Sequence, residues 1–241
     1  APGLEYMLDN ELKDVASELE RRGCALQVAT VLREPISCMV SSIVFNGGDL
    51  KNETRAIEGV TWENNAQARY LLHGHPLQWP DAWHELALDG EAQELDRRVQ
   101  KVLARTSLVG TTERLADFMH AINDLLGVSK PAGQLAVLNP SDDQSVELSK
   151  TLKDAMMQAS LADRSIYNAW SSGDRVRLRS AAFPAAIIVG AGKCGTNALA
   201  SALETLGMRA AGNTFTHNEE MARQGWAGEI NWPCSQWSGV G

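Results

Sequence analysis

Cysteine is scarce and scattered. Cys24, Cys38, Cys194 and Cys234 are the four in 241 residues, and no two of them sit at metal-ligand spacing. Thiols so few and so far apart imply no disulfide framework, and they leave the compartment open. Long apolar runs are missing as well. No stretch comes near the roughly 20 residues that a membrane-spanning helix needs, so attachment to a membrane would have to come from a partner. Positive charge is in deficit: 22 Lys and Arg against 30 Asp and Glu leave a net charge of −8. That balance argues against a general binder of nucleic acid or other polyanions, while permitting a local basic pocket. No signal or transit segment is visible. The chain opens Ala1-Pro2-Gly3 without Met, which reads as a processed or excised product. What is present, 44% hydrophobic and 22% charged residues, is ordinary for a soluble globular protein and can bury one substantial core. One domain over residues 1–241 is the expectation.

The most informative stretch is 185–200. Ile187, Ile188 and Val189 form a short β-branched run set off by Phe183-Pro184, as a buried parallel strand would be. Gly190, Gly192 and Gly195 then allow a sharp turn and the close approach of a ligand. Ala198, Leu199, Ala202, Leu203 and Leu206 recur at helical spacing, with Gly207 as a stop. Such a unit aims several backbone N–H groups and the positive end of a helix at one spot, which suits a phosphate or sulfate. Lys193 adds a full positive charge there. Three loop types compete for this stretch. The Walker form fails, because Cys194 follows Lys193 and Ile188 stands where a Gly is needed. The dinucleotide form G-x-G-x-x-G is met literally by Gly190, Gly192 and Gly195. The chain ends too soon afterwards for a full nucleotide-binding half, however. Glu219 and Glu220 could serve a nicotinamide or flavin protein as the ribose acid, but Arg33 and Ser41 would then go unexplained. The third form is Lys-x-Gly-Thr after a strand, which Lys193, Gly195 and Thr196 satisfy. A glycine turn with no ligand is the plain alternative.

A second constellation lies near the other end. Residues 25–32 have a strand pattern with Val28, Val31 and Leu32, and Pro35 fits the first turn of a helix continued by Val40, Ile43 and Val44. Arg33 therefore lies at a strand end and Ser41 about two helical turns on. A guanidinium that grips two phosphate oxygens and a hydroxyl that donates to a third is sound chemistry for one phosphate. The plain reading is an Arg33 that caps a strand and pairs with Glu34 or another acid at the surface.

Together the Lys193 loop and the Arg33-x-Pro35 pattern, with its Ser41, resemble the sulfotransferases that use 3′-phosphoadenosine 5′-phosphosulfate, the polysaccharide type in particular. Asn65-x-x-x-Arg69-Tyr70-Leu71, the run 108–115 (Leu-Val-Gly-Thr-Thr-Glu-Arg-Leu) and Asp163-x-x-x-Tyr167 resemble further phrases of that family. The resemblance implies an α/β fold with a P-loop-like central parallel sheet flanked by helices. It implies 3′-phosphoadenosine 5′-phosphosulfate as co-substrate, no metal, and a hydroxyl-bearing acceptor; the acidic surface favours a small alcohol, a phenol or a protein side chain over a long anionic glycan. Gly192, Lys193, Cys194, Gly195, Thr196 and Asn197 would hold the 5′-phosphosulfate, and Arg33 and Ser41 the 3′-phosphate. Lys193 would also be catalytic, as the cation at the leaving oxygen. His217, or failing that Glu219, would be the base, since relatives place a His or Glu after the next strand. The family often has a second Arg five residues after the first, and here that place is Cys38. An alternative follows: a catalytically inactive relative kept as a structural or binding subunit with protein partners in a larger assembly. Cys38 and the Trp-rich tail (Trp226, Trp232, Trp237) favour it.

The motif order is inverted relative to the family, which suggests circular permutation. Residues 1–172 would be the family's C-terminal part, 173–184 a connector, and 185–241 its N-terminal part. A cut tandem chain or joined pieces would give the same order. The testable core of this reading is that strands 185–190 and 26–32 are parallel neighbours, with their loops in one cleft at the carboxyl ends.

Elsewhere the spacing predicts helices over 10–22, 62–72, 89–105, 148–159 and 162–170, and one after a cap at 111–113. It predicts a short strand at 107–110 and loops over 47–59 and 134–146. His73 and His75 have no third ligand at a suitable spacing, so a loop packed by Trp79 and Trp83 is expected, not a metal site. Arg175, Arg177 and Arg179 read as an exposed connector.

Overall fold

A computed structural model describes residues 3–21, 23–74, 91–126, 147–171 and 183–190. In chain order these form a one-turn helix α1 (Leu4–Tyr6) that runs through a π-turn (Met7–Glu11) into α2 (Leu12–Arg21), then β1 (Cys24–Leu32), α3 (Pro35–Phe45), α4 (Glu53–Trp62), α5 (Ala66–His73) and α6 (Glu91–Leu103). There follow β2 (Leu108–Thr111), a 3₁₀ turn (Thr112–Arg114), α7 (Leu115–Leu126), α8 (Lys150–Ala159), α9 (Leu161–Ser171) and β3 (Phe183–Gly190). Among the described residues no helix is long and apolar enough to cross a membrane.

The strands make one parallel sheet in the order β2-β1-β3. The central place of β1 follows from its composition. Val28, Ala29, Val31 and Leu32 are buried, and so are Gln27 and Thr30, so the strand shows water neither face, as parallel strands covered on both sides do. Gly23 at φ 78° makes the turn that feeds α2 into it. On one face Val28, Leu32 and Val109 meet Leu71 of α5, Leu95, Val99 and Leu103 of α6, and Ile166 and Trp170 of α9. Burying each such aliphatic side chain contributes about 1.5–3 kcal/mol. Successive strand residues point to opposite faces, and accordingly Gly110 looks the other way, at Phe118 of α7. A smaller core joins α3, α4 and α8 through Met39, Ile43, Ala56, Val60, Leu152 and Met156.

The expected pairing of strands 185–190 and 26–32 is present. Leu26 lies opposite Ala185 and Val31 opposite Gly190, in parallel. Two local expectations differ from the structure. Residues 47–59 are not all loop, because α4 starts at Glu53 behind an Asn52 cap that accepts from the Arg55 N–H at 3.3 Å. Gly59 in this helix is where α3 comes close: a Cβ there would stand 3.1 Å from the Ile43 side chain. The helix expected over 62–72 is interrupted at Asn65, which takes φ 46° in the left-handed region. Cys24 is disulfide-bonded, which the scattered thiols did not suggest, whereas Cys38 is buried and in no disulfide.

A methyl group at position 110 would meet Phe118 Cδ2 at 2.1 Å and its Cβ at 2.9 Å, so the ring cannot simply swing aside. Gly110→Ala is expected to destabilise the fold by about 1–3 kcal/mol, read as a lowered denaturant midpoint with an unchanged slope.

Candidate functional site

The carboxyl ends of the three strands share one edge, since Leu32 is level with Thr111 and Val31 with Gly190. The chain leaves β1 through Arg33 and Glu34 and enters α3 at Pro35, which occupies the first turn where its missing N–H costs nothing. Glu34 is the N-cap: its carboxylate accepts from the Ile36 N–H at 3.1 Å and the Ser37 N–H at 2.7 Å. The positive end of α3 is thus already occupied by the protein's own carboxylate. An anion at this exit must be held by side chains. Arg33 is half-buried at the strand end, and Ser41 is partly exposed one helical turn beyond the exposed Ser37, on the same face of α3.

The Arg33–Glu34 segment is held from two sides. The Gln67 carboxamide accepts from the Arg33 N–H at 2.8 Å and donates to the Arg33 carbonyl at 2.9 Å. Glu113, just past β2, accepts from the Glu34 N–H at 3.0 Å through one oxygen and from the Tyr167 hydroxyl at 3.0 Å through the other. Burial alone would raise the Glu113 carboxyl. Donors from Glu34, its own backbone, Thr112 and Tyr167 outweigh that and hold it below the usual range. Burial, the bond to Glu113 and the charges of Glu113 and Glu34 push the Tyr167 phenol up to about 12, so it stays a donor.

Behind Gln67, two helix starts cap each other. Asp163 in the first turn of α9 accepts from the Gln67 N–H at 3.1 Å and the Ala68 N–H at 2.8 Å, the second and third amides of α5. Asn65 returns the favour: its side-chain oxygen accepts from the Ala162 N–H at 2.8 Å and the Asp163 N–H at 3.4 Å, the second and third amides of α9. The left-handed backbone of Asn65 turns it outward from its own helix to do so. Arg69 lies alongside, its side chain 5% exposed and 3.4 Å from Glu91; burial pushes its pKa down, against the pull of Glu91 and Asp163. Burial likewise drives the Asp163 carboxyl up to about 7, in opposition to its amide donors and Arg69.

Of the expected site residues, Arg33 is described just past the end of β1 and Ser41 within α3. Gly192, Lys193, Cys194, Gly195, Thr196, Asn197, His217 and Glu219 lie outside the described residues, as do His75, Trp79 and Trp83. Gly190, where the glycine loop would begin, is described, and it lies beside Val31. Cys38, in the place of the second Arg, faces inward against Tyr70. His73 ends α5, and burial followed by the charges of Arg98 and Arg69 pushes its pKa down despite Glu5. Among the described residues no three His, Cys, Asp or Glu side chains gather as a metal site would require. In the sequence Asn65, Arg69, Asp163 and Tyr167 stand out only as members of short phrases with no task attached, and Gln67 does not stand out at all. A usable signal was present: polar residues at positions where a helix turns its face to the core.

No family model, curated protein or solved structure matches this chain.

Asp163→Asn keeps one acceptor for two amides and turns an NH₂ toward the other, so it should cost about 1–3 kcal/mol. Its pH dependence has a definite sign. With a carboxyl raised from 3.8 to about 7, the native state keeps a proton that the unfolded chain gives up. That contribution is complete below the unfolded value and is lost as pH rises through the folded one. Denaturant melts should therefore show the wild type's advantage over Asp163→Asn to be widest near pH 4 and to shrink toward pH 7, other carboxylates cancelling in the subtraction. A gap that stays flat would mean that Asp163 titrates as an ordinary carboxyl.

Proposed function

We propose that this protein is sulfotransferase-like, moving a sulfuryl group from 3′-phosphoadenosine 5′-phosphosulfate to a hydroxyl acceptor. The sheet is then P-loop-like with a permuted strand order, residues 185–241 supplying the front of the domain and 1–172 the back. One observation carries the reading: β1 and β3 are parallel neighbours in a register that puts Gly190 beside Val31, two positions before Arg33. β3 thus ends at the edge of the sheet where β1 ends, and in this reading the Lys193 and Arg33 segments both open there, where open parallel sheets bind their ligands. A nucleotide with phosphates at both ends of its ribose needs two anion sites of this kind. Arg33 and Ser41 suit the 3′-phosphate, the more so because Glu34 closes the helix end and leaves that phosphate to side chains.

The bound phosphosulfate supplies an electrophilic sulfur. The acceptor oxygen forms a bond to that sulfur while the bond from sulfur to the bridging 5′ oxygen breaks, and the electron pair stays on the departing adenosine 3′,5′-bisphosphate. Lys193 stabilises the charge that gathers there, with the amides of Gly195, Thr196 and Asn197 on the 5′-phosphate. Imidazole's reference pKa of about 6.5 suits a base near neutral pH, and in this reading His217 takes the acceptor's proton, with Glu219 its substitute in that role.

A second reading has an observation of its own. Cys38 is 5% exposed and packed against Tyr70, so its position cannot present a second phosphate ligand to the exit loop. This favours a non-catalytic binding or structural subunit.

Calorimetry with adenosine 3′,5′-bisphosphate separates the two readings: micromolar binding is expected of the enzyme and none of the scaffold. Lys193→Ala should abolish transfer and weaken the nucleotide, whereas His217→Ala should stop turnover and spare binding. Unchanged turnover in His217→Ala would remove that residue from the reaction.

A further inference from the structure

We propose that Gln67 is the positioning residue for Arg33, and that helix α9 sets the geometry of the nucleotide's 3′-phosphate site from behind, through Asp163 and Tyr167. The inference rests on the function proposed above and names what would tune one end of its ligand.

Gln67 pairs with both backbone groups of Arg33, as the next strand of a sheet would. It has little freedom of its own: 3% exposed, it has its N–H held by Asp163. On the far side of the same peptide, Glu34 is held by Glu113 and Glu113 by Tyr167. Asp163 and Tyr167 are four residues apart, on one face of α9. That helix is anchored in turn by Ala162, Ile166 and Trp170 in the main core. A single rigid element therefore reaches both sides of the residue pair at which β1 ends. A long side chain magnifies any rotation of its backbone, and charge-assisted bonds to phosphate are strongly directional. Without the carboxamide, Arg33 would keep its charge and lose its aim.

The test uses the full chain. Adenosine 3′,5′-bisphosphate and adenosine 5′-monophosphate are titrated calorimetrically into wild type, Gln67→Ala, Arg33→Ala and the double variant, and amide exchange is followed at Arg33. Gln67→Ala should weaken the bisphosphate about tenfold, leave the monophosphate unchanged and speed exchange at Arg33. The double variant should bind no worse than Arg33→Ala alone, because Gln67 acts through that arginine. Where Gln67→Ala does not fold, Gln67→Met stands in: it keeps the length, adds no charge, loses both bonds, and should show the same loss confined to the bisphosphate. An equal loss on both nucleotides, or an additive double variant, would reduce Gln67 to a structural part and overturn the proposal. Wild type that binds neither nucleotide overturns the proposed function instead, and the role of Gln67 with it.

Discussion

Two helices that begin face to face inside a protein present a problem of electrostatics. Each start leaves orphan N–H groups and the positive end of a dipole, and neither can turn to water. In this chain α5 and α9 solve it by exchange: Asp163 caps α5 and Asn65 caps α9, each taking the partner's second and third amides. Leaving such amides unmet in the interior would cost about 1–3 kcal/mol apiece. Asn65 makes the exchange from the left-handed backbone region, which asparagine tolerates better than most residues. With the two helix starts locked together, the direction of Gln67 follows, and with it the exit of β1.

The same arrangement decides how an anion could be held at the sheet's edge. A helix start next to a strand end is the usual phosphate cradle, but Glu34 has filled the one at α3 with its own carboxylate. Any anion recognised at this exit would depend on side chains such as Arg33 and Ser41 and not on those backbone amides. Side chains need support where backbone does not, and the bonds from Gln67 and Glu113 supply it. Glu113 can do so as an ionised acceptor because four donors offset its burial.

Much of the fold could be read from local pattern. β-branched runs marked the strands at 24–32 and 183–190, and apolar spacing marked α2, α6, α8 and α9 to within a few residues. The helix at 53–62 was hidden because Thr54, Gly59 and Thr61 are weak helix formers; packing of Ala56 and Val60 against the α3 and α8 core decides it. Of the candidate site, the positions of Arg33 after a strand and Ser41 on the following helix were legible as a spacing. The brace around Arg33 was not, because Gln67, Glu113 and the Asp163–Tyr167 pair come from three separate segments and meet only when the helices pack.

Local pattern alone settles that this is an α/β chain with a glycine-rich run after one strand and an Arg-x-Pro exit after another, since strand runs, breakers and spacings are local properties. Tertiary structure decided that those two strands are parallel neighbours whose exits share an edge, because pairing partners are chosen by burial of both faces of β1 and not by any residue within it. It also decided that the polar residues of α5 and α9 cap each other. A buried donor must find an acceptor somewhere, and only the packed chain shows which acceptor is within reach.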